Sequence, residues 1–494
     1  MNPIPPRGRS RLYVGVLTSL ALIALCTGAS AQEARALTLH PDNPHYFLFR
    51  GKPAVLVGST EHYGAVLNGD FDFVPYLEEL QSKGLNLTRT FSGVYREVPG
   101  SFNIKDNTLA PRPGKYVSPW ARAGDGDKYD LTKWNDAYFA RLKQFLTEAG
   151  RRGVAVELVL FCTFYEDVLW DICPLNAKNN VNGVGKVGRE QVCTLKERAL
   201  VDVQLAFVRK VVAELKDFDN VYYEVCNEPY FAGVADDWQR LVAKTVVESE
   251  KDFPAEKRHL IARNIANGSG KIDRPDPNVS IFNFHYANPP DAVTQNWALN
   301  KPIGYDETGF RGTGDAVYRA HGWEFLLAGG AVYDHLDYSF TPDAENGTAP
   351  VSDPTPGGGG AALRRQFQVL RKFVDGFDFV RMKPDESAIK SADRGVRVRA
   401  LAEPGRQYAA YLNRVVEDSA TKTHAGTFLD PHSGQPTELI LTLPAGKYRA
   451  EWLDPKTGQT TSGEVTIAKA DEPAKVTTPP YDQDVALRLT PAAK

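Results

Sequence analysis

Residues 220–229, N-V-Y-Y-E-V-C-N-E-P, decide the fold. A short β-branched and aromatic run stops abruptly at an amide, a carboxylate and a proline. Such a run reads as a strand buried on both faces of a parallel sheet, and the carboxyl end of such a strand is where polar groups meet a ligand. Alternation sets Glu224, Cys226 and Glu228 on one side of the strand and Asn227 on the other, until the chain bends at the rim. Asn227 and Glu228 therefore stand at the edge of a candidate site, with Glu224 a buried carboxylate beneath them.

Outward from this strand the same unit recurs. Eight strand candidates begin near Val55, Leu85, Val154, Val221, Leu260, Ser280, Ile303 and Ala331. Most are separated by helical patterns: Val74, Leu77 and Leu80 share one face before Gly84, and Trp134, Tyr138, Leu142 and Phe145 mark a helix over 131–150. Further helices are expected over 199–218, 238–253 and 362–373. The span from Val55 to Phe340 is near the ~250 residues of a (β/α)8 barrel. An open doubly wound sheet is the alternative, but no G-x-G-x-x-G follows the first strand. A polar, Pro/Gly-rich loop occupies 341–360, and beyond Phe379 the texture changes to short alternating strands near 396, 408, 438, 448, 464 and 485, separated by turns such as D-P-K-T-G-Q. The fold class expected is α/β, a (β/α)8 TIM barrel over 32–378 introduced by a hairpin, followed by a small all-β sandwich over 379–494.

On a barrel, chemistry sits at the carboxyl ends of strands. Glu228 closes the fourth strand and Glu307, in Y-D-E-T-G, closes the seventh. Two carboxylates facing each other across the mouth are what glycoside hydrolysis needs, one to protonate the leaving oxygen and one to attack or stabilise the sugar cation. Arg89 ends strand two, where it either neutralises Glu224 or holds the nucleophile ionised, and the two roles are compatible. His285 and Tyr286 end strand six. Glu61 and His62 follow strand one and are candidates for substrate binding or a solvated loop pair. Strand eight offers Tyr333, Asp334 and His335. Tyr116, Trp120 and Tyr165 lie in loops on the same face, to stack on sugars or to pin the loops.

These motifs resemble clan A of the glycoside hydrolases, the (β/α)8 retaining enzymes that include the family 5 cellulases and mannanases. Asn227-Glu228-Pro229 after strand four and Glu307 after strand seven carry the resemblance. The overall texture is similar to the apiosidase-like group, whose members often carry a C-terminal sandwich of collagen-binding type. The resemblance implies Glu228 as general acid/base, Glu307 as nucleophile, Asn227 as the partner of the sugar 2-hydroxyl, and Arg89 as the strand-two arginine of the clan. Family 5 members commonly separate the strand-six His and Tyr by one residue; here His285 and Tyr286 are adjacent. The implied function is a secreted retaining glycoside hydrolase cleaving a β-linked glycoside in an oligo- or polysaccharide. The alternative is a non-catalytic carbohydrate-binding or adhesion protein on a barrel scaffold.

Composition narrows the partners. Arg7, Arg9 and Arg11 precede an apolar run and the A-x-A of residues 29–31, which reads as a secretory signal peptide over 1–31, too short for a membrane span and cleaved after Ala31. Export to the periplasm or the exterior is expected. Removal of that leader takes three arginines and no acid, moving the formal charge from -3 to -6, with no basic block to track phosphates. Nucleic acid is not an expected partner; an oligo- or polysaccharide is. No Cys or His pair shows ligand spacing, and the H-x-H of metal-dependent barrel hydrolases is absent after strand one, so no metal and no cofactor is expected. Cys162, Cys173, Cys193 and Cys226 remain after processing, with Cys173–Cys193 the preferred pairing around a polar, glycine-bearing loop. Exo or endo action is expected to depend on whether loops such as 111–130 and 341–360 block one end of the cleft.

Overall fold

The computed structural model describes residue 1 and residues 36–492 except 353, 394, 415–433 and 471. The expected leader lies outside the described residues. Eight parallel strands form one sheet: β1 (Leu56–Thr60), β2 (Leu87–Phe91), β3 (Ala155–Cys162), β4 (Val221–Asn227), β5 (Ile261–Asn267), β6 (Ile281–His285), β7 (Ile303–Thr308) and β8 (Val332–Leu336). Neighbours pair in chain order from β2 to β8, and β8 pairs with β1. The seam between β1 and β2 is bridged at Asn86, by its backbone N donating to Val57 O at 3.1 Å and by its side chain. Val57 N donates to Asn86 Oδ1 at 2.9 Å, and Asn86 Nδ2 donates to Val55 O at 2.9 Å. Asn86, the first residue of an N-L-T glycosylation pattern, is thereby consumed in the barrel wall.

Helices α1 (Phe73–Ser82), α2 (Asp136–Arg151), α3 (Arg198–Leu215), α4 (Asp236–Ser249), α5 (Asp291–Asn296), α6 (Asp315–Leu327) and α7 (Ala361–Asp375) follow β1 to β4 and β6 to β8. Among the described residues β5 runs on to β6 with no helix between. The helix expected from residue 131 begins at Asp136 instead, because Asn135 caps it through Ala137 N and the preceding Tyr129–Trp134 pairs as a strand with Trp120–Arg122. The amino-terminal strands Thr38–Leu39, Phe47–Phe49 and Lys52–Ala54 make a small antiparallel sheet. Leu37 N donates to Asp219 O, just before β4, and Ala36 N to Glu256 O, before β5, so this segment caps the end of the barrel away from the strand carboxyl termini.

After α7 come a six-stranded and a three-stranded antiparallel sheet. All six expected strands are present, from Arg397–Glu403 to Asp484–Pro491, and three short ones, Lys383–Pro384, Ile389–Ser391 and Ala474–Thr477, carried no alternation long enough to read. This region grips α6: Arg319 donates to both oxygens of Asp484 at 2.7 and 2.9 Å, and Trp323 stacks on Tyr411 with centroids 5.3 Å apart.

Cys162, Cys173, Cys193 and Cys226 are buried free thiols, which corrects the expected Cys173–Cys193 bridge. Cys173 Sγ donates to Val94 O at 3.2 Å. The polar loop between the two is held by Asn180, whose amide donates to the carbonyls of Asn176 and Val184 at 2.9 Å each, so hydrogen bonds hold it without a covalent staple.

Candidate active site

Glu228 and Glu307 meet at the carboxyl end of the barrel. One oxygen of each, together with a ring nitrogen of His285, lie within 4.8 Å of one another. Both carboxylates are almost wholly buried, at 7% and 6% exposure, at the bottom of a pocket. Tyr165 Oη donates to Glu228 Oε2 at 2.5 Å and Tyr230 Oη to Oε1 at 3.3 Å. Glu307 accepts from Tyr286 Oη at 2.8 Å, from Tyr63 Oη at 3.0 Å and from Arg89 at 3.4 Å. Burial opposes a charge on Glu307, but His285, Arg89 and Tyr286 outweigh it and hold its carboxyl well below the usual carboxylate range.

His285 sits between the two, with Nδ1 3.1 Å from Glu228 Oε1 and 3.4 Å from Glu307 Oε1. Burial works against a charge on the ring, yet the Glu307 and Asp306 carboxyls and the hydrogen bonds to Glu228 and Glu307 push the imidazole well above its ordinary value. Asn227 receives Arg89 on Oδ1 at 2.7 Å and donates to Tyr165 Oη at 2.9 Å. Arg89 reaches both Glu224 and Glu307. It donates to Glu224 at 2.6 Å, stands 3.5 Å from Asp306 and 3.8 Å from Glu157, and lies over the Tyr63 ring at 4.6 Å.

A backbone device explains how neighbours in sequence share one pocket. Successive side chains of a strand point to opposite faces. Tyr63, Glu228, Tyr286 and Phe310 all take left-handed backbone conformations, with φ of 60°, 45°, 50° and 56°, and all four line the pocket. The reversal just past β4 lets Asn227 and Glu228 both serve, and the one past β6 does the same for His285 and Tyr286. Their adjacency thus still lets the Tyr286 hydroxyl reach Glu307. A non-glycine residue in this region is strained by about 1–3 kcal/mol, and such strain clusters at functional sites.

Two expected residues are placed elsewhere. Glu61 is fully buried and turned onto the backbone, accepting from Gly64 N at 2.8 Å and Ala65 N at 3.0 Å, so it shapes the loop after β1 instead of facing the pocket. Tyr333 points outward from β8, donating to Tyr318 O at 2.7 Å and packing on Phe367, because alternation along the strand turns it to the helices. His62 lines the pocket. The loop aromatics divide: Tyr165 is in the pocket, whereas Trp120 packs on Phe207 and Tyr116 donates to Gly93 O, both pinning loops. Tyr63, Tyr95, Glu97, Phe102 and Phe310 were not legible as site residues; each sits past a strand end in no recognisable motif.

Directly below lies a second cluster, Glu157, Glu224 and Asp306, again with ligand atoms within 4.8 Å of one another. Either trio has the spacing a metal ion uses; the upper one includes His285, whose imidazole is pushed above its ordinary value, and Arg89 lies 2.6–3.8 Å from the three acids of the lower one.

The fold and site define an eight-stranded barrel with two convergent acids in an aromatic pocket. The comparisons agree in fold. One solved glycoside hydrolase matches with a TM-score of 0.60 at 14% identity, covering 93% of this chain and 98% of its own. A glycoside hydrolase family 5 structure from Bacteroides vulgatus matches with a TM-score of 0.60 at 14% identity, covering 93% of this chain and 94% of its own. No protein-family model matches the sequence, and no curated protein matches it.

Proposed function

We propose that this protein is a retaining glycoside hydrolase that cleaves a β-linked glycoside of an oligo- or polysaccharide. The observation that carries the reading is the approach of Glu228 and Glu307 to within 4.8 Å, oxygen to oxygen, in a buried pocket. Double displacement uses carboxyl groups ~5–5.5 Å apart, whereas inversion leaves ~6.5–9.5 Å for a water molecule. Glu307 attacks the anomeric carbon as Glu228 gives its proton to the departing oxygen. Glu228 then takes a proton from water, whose oxygen displaces Glu307 and releases the sugar. Asn227, locked by Arg89 and Tyr165, is aimed to accept or donate at the sugar 2-hydroxyl.

The donors support this division of labour. Glu307 is kept ionised by His285, Arg89 and two tyrosines, as a nucleophile requires. The test is a 2-deoxy-2-fluoroglycoside with a good leaving group: mass spectrometry of a peptic digest is expected to find the sugar on Glu307, and an adduct on another residue, or inverted product by NMR, overturns the assignment. The amino-terminal leader supports export, with cleavage after Ala31, checked by the mature amino terminus. The Arg319–Asp484 and Trp323–Tyr411 contacts support a bracing role for the C-terminal sheets.

A further inference from the structure

Tyr286 is held in a conformation that a tyrosine does not choose. Its φ of 50° lies in the left-handed region, which a side chain of this size keeps only where its surroundings over-determine it. The hydroxyl donates to Glu307 Oε1 at 2.8 Å, so its placement depends on the backbone that carries it. Two hydrogen bonds fix that backbone. Tyr286 N donates to Glu307 O at 3.1 Å, and Tyr286 O accepts from Asn288 N at 2.8 Å.

Asn288 is in turn tied to a group outside the pocket. Its Nδ2 donates at 3.3 Å to Oε2 of Glu324, a wholly buried carboxylate on α6. The other oxygen of Glu324 meets the C-terminal sheets: Oε1 accepts from Asn413 Nδ2 at 2.5 Å and lies 2.9 Å from a guanidinium nitrogen of Arg397. Arg397 and Asn413 stand opposite each other on the paired strands Arg397–Glu403 and Gln407–Asn413, and Arg397 Nε donates to Asn413 Oδ1 at 3.4 Å, which turns the amide nitrogen of Asn413 to Glu324. A carboxylate suits this place because both of its oxygens accept, so it can take donors from two directions at once. Glu324 has no part in the two-acid reaction, yet it joins the C-terminal sheets to the loop after β6.

We infer that Glu324 is a positioning residue: with Asn413 and Arg397 behind it, it holds Asn288, and through Asn288 the backbone of Tyr286, so that the tyrosine hydroxyl meets Glu307. The C-terminal sheets then complete the surroundings of Glu307, beyond bracing α6. The inference rests on the glycosidase reading and deepens it.

The test measures the rate at which a 2-deoxy-2-fluoroglycoside labels Glu307 in the mature protein. Glu324→Gln keeps the outline but accepts on one side only, so its amide nitrogen faces a donor at Asn288 or at Asn413 and the connection breaks. It is expected to label about tenfold more slowly at saturating reagent, with the half-saturating concentration within about twofold of wild type. Added to Tyr286→Phe, which lacks the hydroxyl through which the connection acts, Glu324→Gln is expected to slow labelling by no more than about twofold further. Combining Glu324→Gln with Asn288→Asp gives the new amide nitrogen an acceptor and is expected to restore most of the rate. Asn413→Ala breaks the same connection from the C-terminal sheets, is expected to slow labelling and to add nothing to Tyr286→Phe, and decides the matter if the Glu324 variant does not fold. A folded Glu324→Gln protein that labels within about twofold of wild type overturns the proposal. So does full additivity with Tyr286→Phe, which makes Glu324 a structural residue alone. In either case a wild type labelled on Glu307 leaves the glycosidase reading standing; one that neither turns over nor labels overturns both.

Discussion

The barrel holds two trios of buried acid and imidazole groups, one above the other, in different surroundings. Glu228, His285 and Glu307 at the rim, and Glu157, Glu224 and Asp306 beneath, have the same spacing to within what one cation could span. The upper trio opens on a pocket and is dressed with tyrosine hydroxyls. The lower one is fully buried and packed around Arg89. There Glu224 is held low, since Arg89 and its hydrogen bonds overcome burial, while burial and neighbouring acids push Glu157 and Asp306 well up. Carboxylates in proximity therefore do not by themselves mark a candidate active site. Both trios keep one acid low, Glu307 above and Glu224 below, and access to the pocket separates them.

The sharpest way to break this contrast is to truncate one acid from each layer. Glu307→Ala or Glu228→Ala is expected to lower kcat by about 10⁴-fold or more on an aryl glycoside while the protein melts within a few degrees of wild type. Glu224→Ala is expected to destabilise by about 3–5 kcal/mol, because it strands the Arg89 guanidinium without its closest anion. If Glu224→Ala melts normally and only turnover falls, the lower trio belongs to the chemistry. Arg89→Met joins the two effects, since Arg89 touches both layers: about 10²-fold or more in kcat, together with a lowered urea midpoint.

Smaller effects separate the donors of the upper layer. Tyr286→Phe and Tyr63→Phe each remove one hydroxyl from Glu307 and are expected to lower kcat about 10–100-fold with KM little changed. The pH profile gives a second reading. The folded carboxyl of Glu307 is depressed, so its ionised form, and the stability it contributes, is present above the ordinary value near 4.5 and is lost only as pH falls through the depressed one. The acid limb of kcat/KM for the wild type should therefore not be set by Glu307 near 4.5, and in Tyr286→Phe the point at which Glu307 takes its proton should move up. A profile with no change of shape removes Tyr286 from the set that keeps Glu307 charged.

Much of this was legible in the sequence, for one reason: strand ends announce themselves. A run of β-branched and aromatic residues broken by N-E-P or D-E-T-G marks the rim of a barrel, and Glu228, Glu307, Asn227 and His285 occupy such positions, whereas Arg89, expected at the end of strand two, lies in the middle of β2 and reaches the rim by the length of its side chain. Glu61 and Tyr333 misled because strand-end proximity does not tell which way a side chain faces. Glu61 is drawn to the amides of Gly64 and Ala65, and Tyr333 is turned to the helices by alternation. Tyr63, Glu97 and Phe310 were hidden because left-handed turns and a packed loop, neither written in a local pattern, bring them in. The cysteines misled differently: a polar loop flanked by two thiols suggested a bridge, but side-chain amides suffice to hold it.

Asp306 supplies the finest test of the two layers, since it neighbours Glu307 in sequence yet lies in the lower trio. Burial first, and Glu224 next, push its carboxyl well above the ordinary value near 3.8, so it holds a proton to higher pH than a free aspartate does. An asparagine has the same outline and can donate in the same direction. Because the folded value is raised, the contribution of Asp306 to stability is fully present below the unfolded value and is lost as pH rises toward the folded one. Asp306→Asn is free of that loss. It is expected to match the wild type within ~1 kcal/mol near pH 4 and to gain on it as the pH is raised to 8, measured by urea unfolding at both. A uniform loss of about 3 kcal/mol or more at both pH values would mean that Asp306 is an ionised partner of Arg89 or His285, and that the lower trio carries more charge than a neutral brace.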